Sequence, residues 1–79
     1  MQHVPSTKAM EHPHWDDIRN KLALRFKNSE ELEKWAVDVV SAHLMECPDR
    51  ARRSLQMLGP VAAGDVINIC KGYCIEIIL

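Results

Sequence analysis

The sequence predicts an all-α fold, a small four-helix bundle, and three observations carry that prediction. Apolar residues recur at spacings of three and four through the first two thirds of the chain, as one buried helix face requires. Pro13, Pro48 and the pair Gly59-Pro60 stand at the joints between those stretches, not inside them. In the carboxyl-terminal third, Asp65, Asn68, Gly72 and Glu76 recur at three, four and four, a narrow polar stripe on an otherwise apolar helix.

Residues 1–11 lack periodicity and contain Pro5, Ser6 and Thr7, so they read as a flexible amino-terminal arm, with residues 12–79 as a single small helical domain. The first helix is expected from Pro13 to Lys27. Proline suits the first helical position, where its missing N–H would have no partner anyway. Asp16 and Asp17 complement the positive end of the helix dipole, and Arg25 and Lys27 the negative end. Trp15, Ile18, Leu22 and Phe26 form its apolar stripe.

Asn28 is expected to cap the second helix, with Glu31 closing a capping box and Glu30, Glu31 and Glu33 loading the first turn. That helix should run to about Glu46. Its broad apolar face holds Leu32, Trp35, Ala36, Val39, Val40, His43, Leu44 and Cys47, with Lys34, Asp38 and Ser41 opposite or flanking. Pro48 breaks it. A third helix from Pro48 to Leu58 follows, with Ala51, Leu55 and Leu58 inside and Arg50, Arg52 and Arg53 outside or flanking. Gly59 accepts the terminating conformation and Pro60 prevents continuation.

Residues 66–79 admit two structures. The alternative to a helix is a carboxyl-terminal β-hairpin turning at Lys71-Gly72, which would make the fold α+β. The hairpin has β-branched content in its favour. Its alternation is poor: pairing Cys70 with Tyr73 puts Asn68 and Glu76 on opposite faces. The helix keeps one clean polar stripe, at the cost of Gly72 in its interior, about 1 kcal/mol relative to alanine.

Composition narrows the function classes. The chain has 79 residues, room for one small domain. A net charge of −1 gives no global attraction to nucleic acid or a membrane surface. Three cysteines is an odd number, and the amino terminus lacks a secretory pattern, so free thiols in a reducing, cytoplasmic setting are expected. No apolar run approaches the roughly 20 residues of a membrane span. Ten of the last fourteen residues are nevertheless apolar.

Several constellations bear on chemistry. His43 and Cys47, and Cys70 and Cys74, are each four apart. On helices that spacing puts both members on one face, and two facing pairs would offer a tetrahedral zinc site. Free cysteines among apolar residues are otherwise ordinary core groups. His12-Pro13-His14 reads as an exposed helix start. Cysteine–histidine catalysis would need an activated thiolate in a cleft, with a third group to orient the imidazole, and none is evident. Gly59, Gly64 and Gly72 match no phosphate-binding fingerprint.

Arg50, Arg52 and Arg53, with the basic residues of the first helix, form the one basic cluster and are the candidates for phosphate contact. A helix-turn-helix at Leu58–Ala62 is disfavoured, because Val61, Ala62, Ala63, Gly64 and Asp65 offer a groove nothing to read with. Charge is also segmental: residues 29–47 hold one basic and five acidic side chains, and residues 48–58 three basic and one acidic.

The expected function is a non-enzymatic, cofactor-free protein-binding module, a small regulator, adaptor or inhibitor. It would act through an apolar carboxyl-terminal surface and associate with itself, most simply as a dimer. Cys74, Ile75, Ile78 and Leu79 are the expected interface, with Trp35 as an aromatic anchor. A small nucleic-acid-binding regulator and a His/Cys zinc-stabilised module are the alternatives.

Overall fold

Helix boundaries fall at the joints that proline, serine and glycine mark. The computed structural model describes residues 12–77, and they form four helices: α1 (Trp15–Arg25), α2 (Glu30–Leu44), α3 (Pro48–Leu58) and α4 (Pro60–Lys71). No strand occurs among the described residues, so the chain is all-α there and the hairpin at 66–79 does not form. The expected arm at 1–11 lies outside the described residues.

The predicted stripe of α1 is the buried one. Trp15, Ile18, Leu22 and Phe26 all enter the core. The helix starts two residues later than expected: Pro13 sits in a turn, and the Trp15 N–H donates to the His12 carbonyl at 3.0 Å. The cap of α2 is Ser29, not Asn28. Its backbone is extended, and its Oγ accepts from the Leu32 N–H at 3.3 Å. α2 packs most extensively against α3, burying Ala36, Val39, Val40 and Ala42, while Trp35 and Leu44 are half-buried against the core's edge. Ala51, Leu55 and Leu58 of α3 are buried as the spacing predicts.

Gly59 joins α3 to α4 with no intervening loop. Its φ of 88° and ψ of 166° lie in a region that is in effect reserved for glycine. It ends one helix and starts the next, and its carbonyl accepts from the Ala63 N–H at 2.9 Å.

α2 and α4 terminate by the same device. At the end of α2, the Cys47 N–H donates to the Ala42 carbonyl at 2.8 Å and the Glu46 N–H to the His43 carbonyl at 3.1 Å. After α4, the Ile75 N–H donates to the Cys70 carbonyl and the Cys74 N–H to the Lys71 carbonyl, both at 3.1 Å. These are the paired six-to-one and five-to-two bonds of a Schellman motif. Its left-handed position is filled by Glu46 (φ 62°) in one case and Cys74 (φ 61°) in the other.

The second motif corrects the expectation for the tail. α4 begins at Pro60 and stops at Lys71, so Glu76 is not on a helix. Gly72, the residue best suited to a left-handed turn, remains right-handed at φ −62°. A turn at Gly72 would have brought Tyr73 back beside the exposed Asn68. Turning two residues later sets Ile75 beside Cys70, and both are buried. Burying an isoleucine is worth about 1.5–3 kcal/mol. That outweighs a left-handed cysteine at about 1–2 kcal/mol.

From the turn, residues 75–77 run back over the bundle, and Ile75 and Ile77 enter the core, each 7% exposed. Tyr73 holds the return in place. Its hydroxyl donates to Asp17 Oδ2 on α1, and its ring lies 5.2 Å from that of His14.

Candidate functional site

An open groove of about 850 Å³ runs along the outer side of α2. Arg19 of α1 closes one side, and Arg50, Arg53 and Ser54 of α3 close the other. Its floor comes from α2, where Trp35 and Val37 are half-buried. Lys34 extends over the exposed part of the indole, with Nζ 5.8 Å from the ring centroid.

A hydrogen-bonded node fixes the wall between α2 and α3. Asp38 accepts from Arg50 twice, from Nη2 at 2.5 Å and from Nε at 3.3 Å, and from the Ser54 hydroxyl at 2.5 Å. Ser54 is the one buried polar side chain of the core, at 2% exposure. Burial pushes the Asp38 carboxyl upward, but the hydrogen bonds from Arg50 and Ser54 outweigh it and hold the group below the ordinary carboxylate value. Ser41 donates to the Asp38 backbone carbonyl at 3.2 Å. Both hydroxyls of the groove are therefore committed to Asp38, and neither histidine nor cysteine lines it.

The expected interface residues fall in different places. Trp35 is in the groove, and Cys74 is exposed at the left-handed turn. Ile75 is covered by its own chain, which removes it from any exposed apolar surface. Ile78 and Leu79 lie outside the described residues.

The zinc alternative fails on helix length. Its two pairs need α-helix through both members, but α2 stops at Leu44 and α4 at Lys71. Cys47 and Cys74 are carried off the helix faces by the two turns. Both are exposed, while Cys70 is fully buried. No group of three or more candidate ligands suited to a metal ion occurs among the described residues. Burial pushes the Cys70 thiol up to about 11. A thiol so placed is neither a ready ligand nor a nucleophile.

The arginine triplet is also divided. Arg50 is bound to Asp38, Arg53 faces the groove beside it, and Arg52 borders a separate shallow hollow with Leu55, Pro60 and Ala63. The three do not make one phosphate-binding surface.

A smaller hollow of about 390 Å³ lies between the end of α1 and the α3–α4 joint, beneath the Arg25–Asp65 bridge at 2.5 Å. No helix among the described residues is long and apolar enough to cross a membrane. No family model, curated protein or solved structure matches this chain.

Of the groove's lining residues, Lys34, Asp38 and Ser41 were legible only as opposite or flanking positions and Arg19 only as one of the basic residues of the first helix, while Ser54 was not singled out. One signal does point to them. Arg50 and Ser54 are four apart on α3, and Asp38 lies in the polar flank of α2, a matched set for two antiparallel helices.

Proposed function

We propose that this chain is a non-enzymatic protein-binding module, a small regulator or adaptor that holds a partner polypeptide in the groove around Trp35. The observation that carries this proposal is the half-buried indole set between walls that are already fixed. Tryptophan and arginine dominate binding energy at protein interfaces when they sit at the centre of a defined concavity. Here the Asp38–Arg50–Ser54 node holds the α2–α3 wall before any partner arrives, which lowers the ordering cost of association.

Ser54 donates to a carboxylate, the pairing that activates a nucleophile, but at 2% exposure its hydroxyl lies out of reach of a substrate, and Ser41 donates to a backbone carbonyl. The proposed anchor is Trp35, and the rest of the proposed surface comes from α1 and α3. The tail contributes by closing the core.

The test is selection from a random peptide display library against the purified full chain, followed by mapping of the selected peptides by amide chemical shifts. Selected peptides should shift Lys34, Trp35, Val37 and Ser41, and Trp35→Ala should weaken them at least tenfold. Peptides that map to Cys74 and Ile75, and bind Trp35→Ala as well as the parent, would overturn the proposal.

A further inference from the structure

The charges lining the groove are unequal in how they are satisfied. Arg50 is paired with Asp38. Arg19 and Arg53, on opposite walls, have no ion pair or hydrogen bond among the described residues. Lys34 lies over the Trp35 ring and also acts electrostatically on Asp38. Asp38, in the middle, is held by Arg50 and Ser54, and the other acidic residues of the lining stand at one end: Glu30 and Glu33 lie in the first turn of α2, where the positive end of the helix dipole already offsets them. From Glu30 to Ser41 the helix rises about 16 Å. The groove is therefore acidic at the amino-terminal end of α2 and basic along its middle, with the indole between.

We infer that the occupant is a polypeptide segment with carboxylates clustered at one end and an apolar side chain following them, its carboxylates meeting Arg19 and Arg53 and its apolar group resting on Trp35. This rests on the proposed protein-binding function and names the chemistry of the partner. Two guanidiniums contributed by α1 and α3, neither bonded among the described residues, present forked donors to carboxylates entering between them. Glu30 and Glu33 set the direction, since carboxylates at that end would be repelled and neutral or basic residues favoured. About five extended residues, or three helical turns, span the distance.

A nucleic acid suits the groove less well. A uniform polyanion long enough to reach Arg19 and Arg53 would also lay phosphates against Glu30, Glu33 and Asp38, and Arg52 lies outside the groove.

The peptide selection separates these outcomes when its sequences are read for charge. Asp and Glu should be enriched on one side of a conserved aromatic or aliphatic position and depleted on the other. Binding should weaken at least tenfold in Arg19→Glu and in Arg53→Glu, both at exposed positions, with circular dichroism spectra that should match the parent. It should also fall as salt is raised from 50 to 500 mM (about a threefold change in Debye length). A peptide with lysine in place of its carboxylates should recover binding to Arg53→Glu and lose it to the parent. Neutral peptides that bind through Trp35 and ignore both arginine variants would overturn the charge inference while leaving the groove as a binding site. Peptides that do not touch Trp35 would remove both. Tighter binding of a mixed-sequence oligonucleotide than of any selected peptide, dependent on Arg53, would replace the acidic segment with nucleic acid and so overturn it.

Discussion

Removing the Asp38 carboxylate should be the most costly single change on the α2–α3 wall, and the cost should travel through Ser54, not Arg50. Ser54 is 2% exposed and donates to Asp38 Oδ2 at 2.5 Å. A hydrogen bond to a charged group contributes about 1.5–3 kcal/mol, and a buried hydroxyl left without an acceptor costs about 1–3 kcal/mol. The Arg50 side chain is 57% exposed, so water replaces its partner and solvent screens the pair. Asp38→Ala should therefore cost about 2–3 kcal/mol and Ser54→Ala about 1–2 kcal/mol, with Arg50→Ala the least costly of the three. At about 4–8 °C per kcal/mol for a domain of this size, Asp38→Ala should lower Tm by roughly 10–20 °C. Urea unfolding followed by circular dichroism measures each variant, and the Asp38/Ser54 double-mutant cycle should show coupling of about 1 kcal/mol or more. An Arg50→Ala cost equal to that of Asp38→Ala, with Asp38/Ser54 coupling below about 0.5 kcal/mol, would refute the assignment.

The same node sets a pH dependence. Burial raises the Asp38 carboxyl, but the hydrogen bonds from Arg50 and Ser54 overcome it, so the folded value lies below the ordinary 3.8. A depressed carboxylate contributes its full stability above that ordinary value and loses it as pH falls through the folded value. Stability of the parent protein should therefore decline below about pH 4, and Asp38→Asn should show a shallower acid limb in the same titration.

Three further outcomes are expected. Cys74→Gly should raise stability by about 1 kcal/mol in urea unfolding, because glycine relieves the left-handed turn, while Cys74→Ala should not. A thiol reagent at pH 8 should modify Cys47 and Cys74 rapidly and Cys70 only after denaturation, since Cys70 is buried and its thiol is raised to about 11; rapid modification of all three would contradict the placement of α4. Ile75→Ala should cost about 2–5 kcal/mol of stability, as for a core isoleucine, and leave the sedimentation coefficient unchanged on dilution; loss of association at unchanged stability would return Ile75 to an interface.

The helices were legible because their signals are local. The three-and-four spacing of Trp15, Ile18, Leu22 and Phe26 needs no knowledge of what they pack against, and Pro48 and Gly59-Pro60 end helices by backbone sterics alone. The capping residue was misplaced by one position, since Asn28 and Ser29 are both good caps and only the chain direction out of Phe26 decides between them. The tail was less legible for a different reason. Where α4 stops depends on which residue, after the turn, meets the core, and that is a tertiary property. Gly72 is the local favourite for the turn and loses to Cys74 because only the later turn returns an apolar residue to Cys70.

That outcome also bears on where we propose the site to be. An apolar run at the end of a chain implies a surplus of greasy surface only if the run stays on one helix, presenting residues all round its circumference. Two consecutive segments of different geometry, a helix to Lys71 and a return over residues 75–77, can each bury their own apolar side, and Ile75 and Ile77 find cover that a single longer helix would not give them. With those two residues absorbed, the half-covered apolar residue best framed by fixed walls is Trp35. Its surroundings are drawn from positions 19 to 54, across three helices. Such a surface leaves no contiguous motif in the sequence. Its trace there is the imbalance of charge between residues 29–47 and 48–58, which becomes an acidic end and a basic wall once α2 and α3 lie antiparallel.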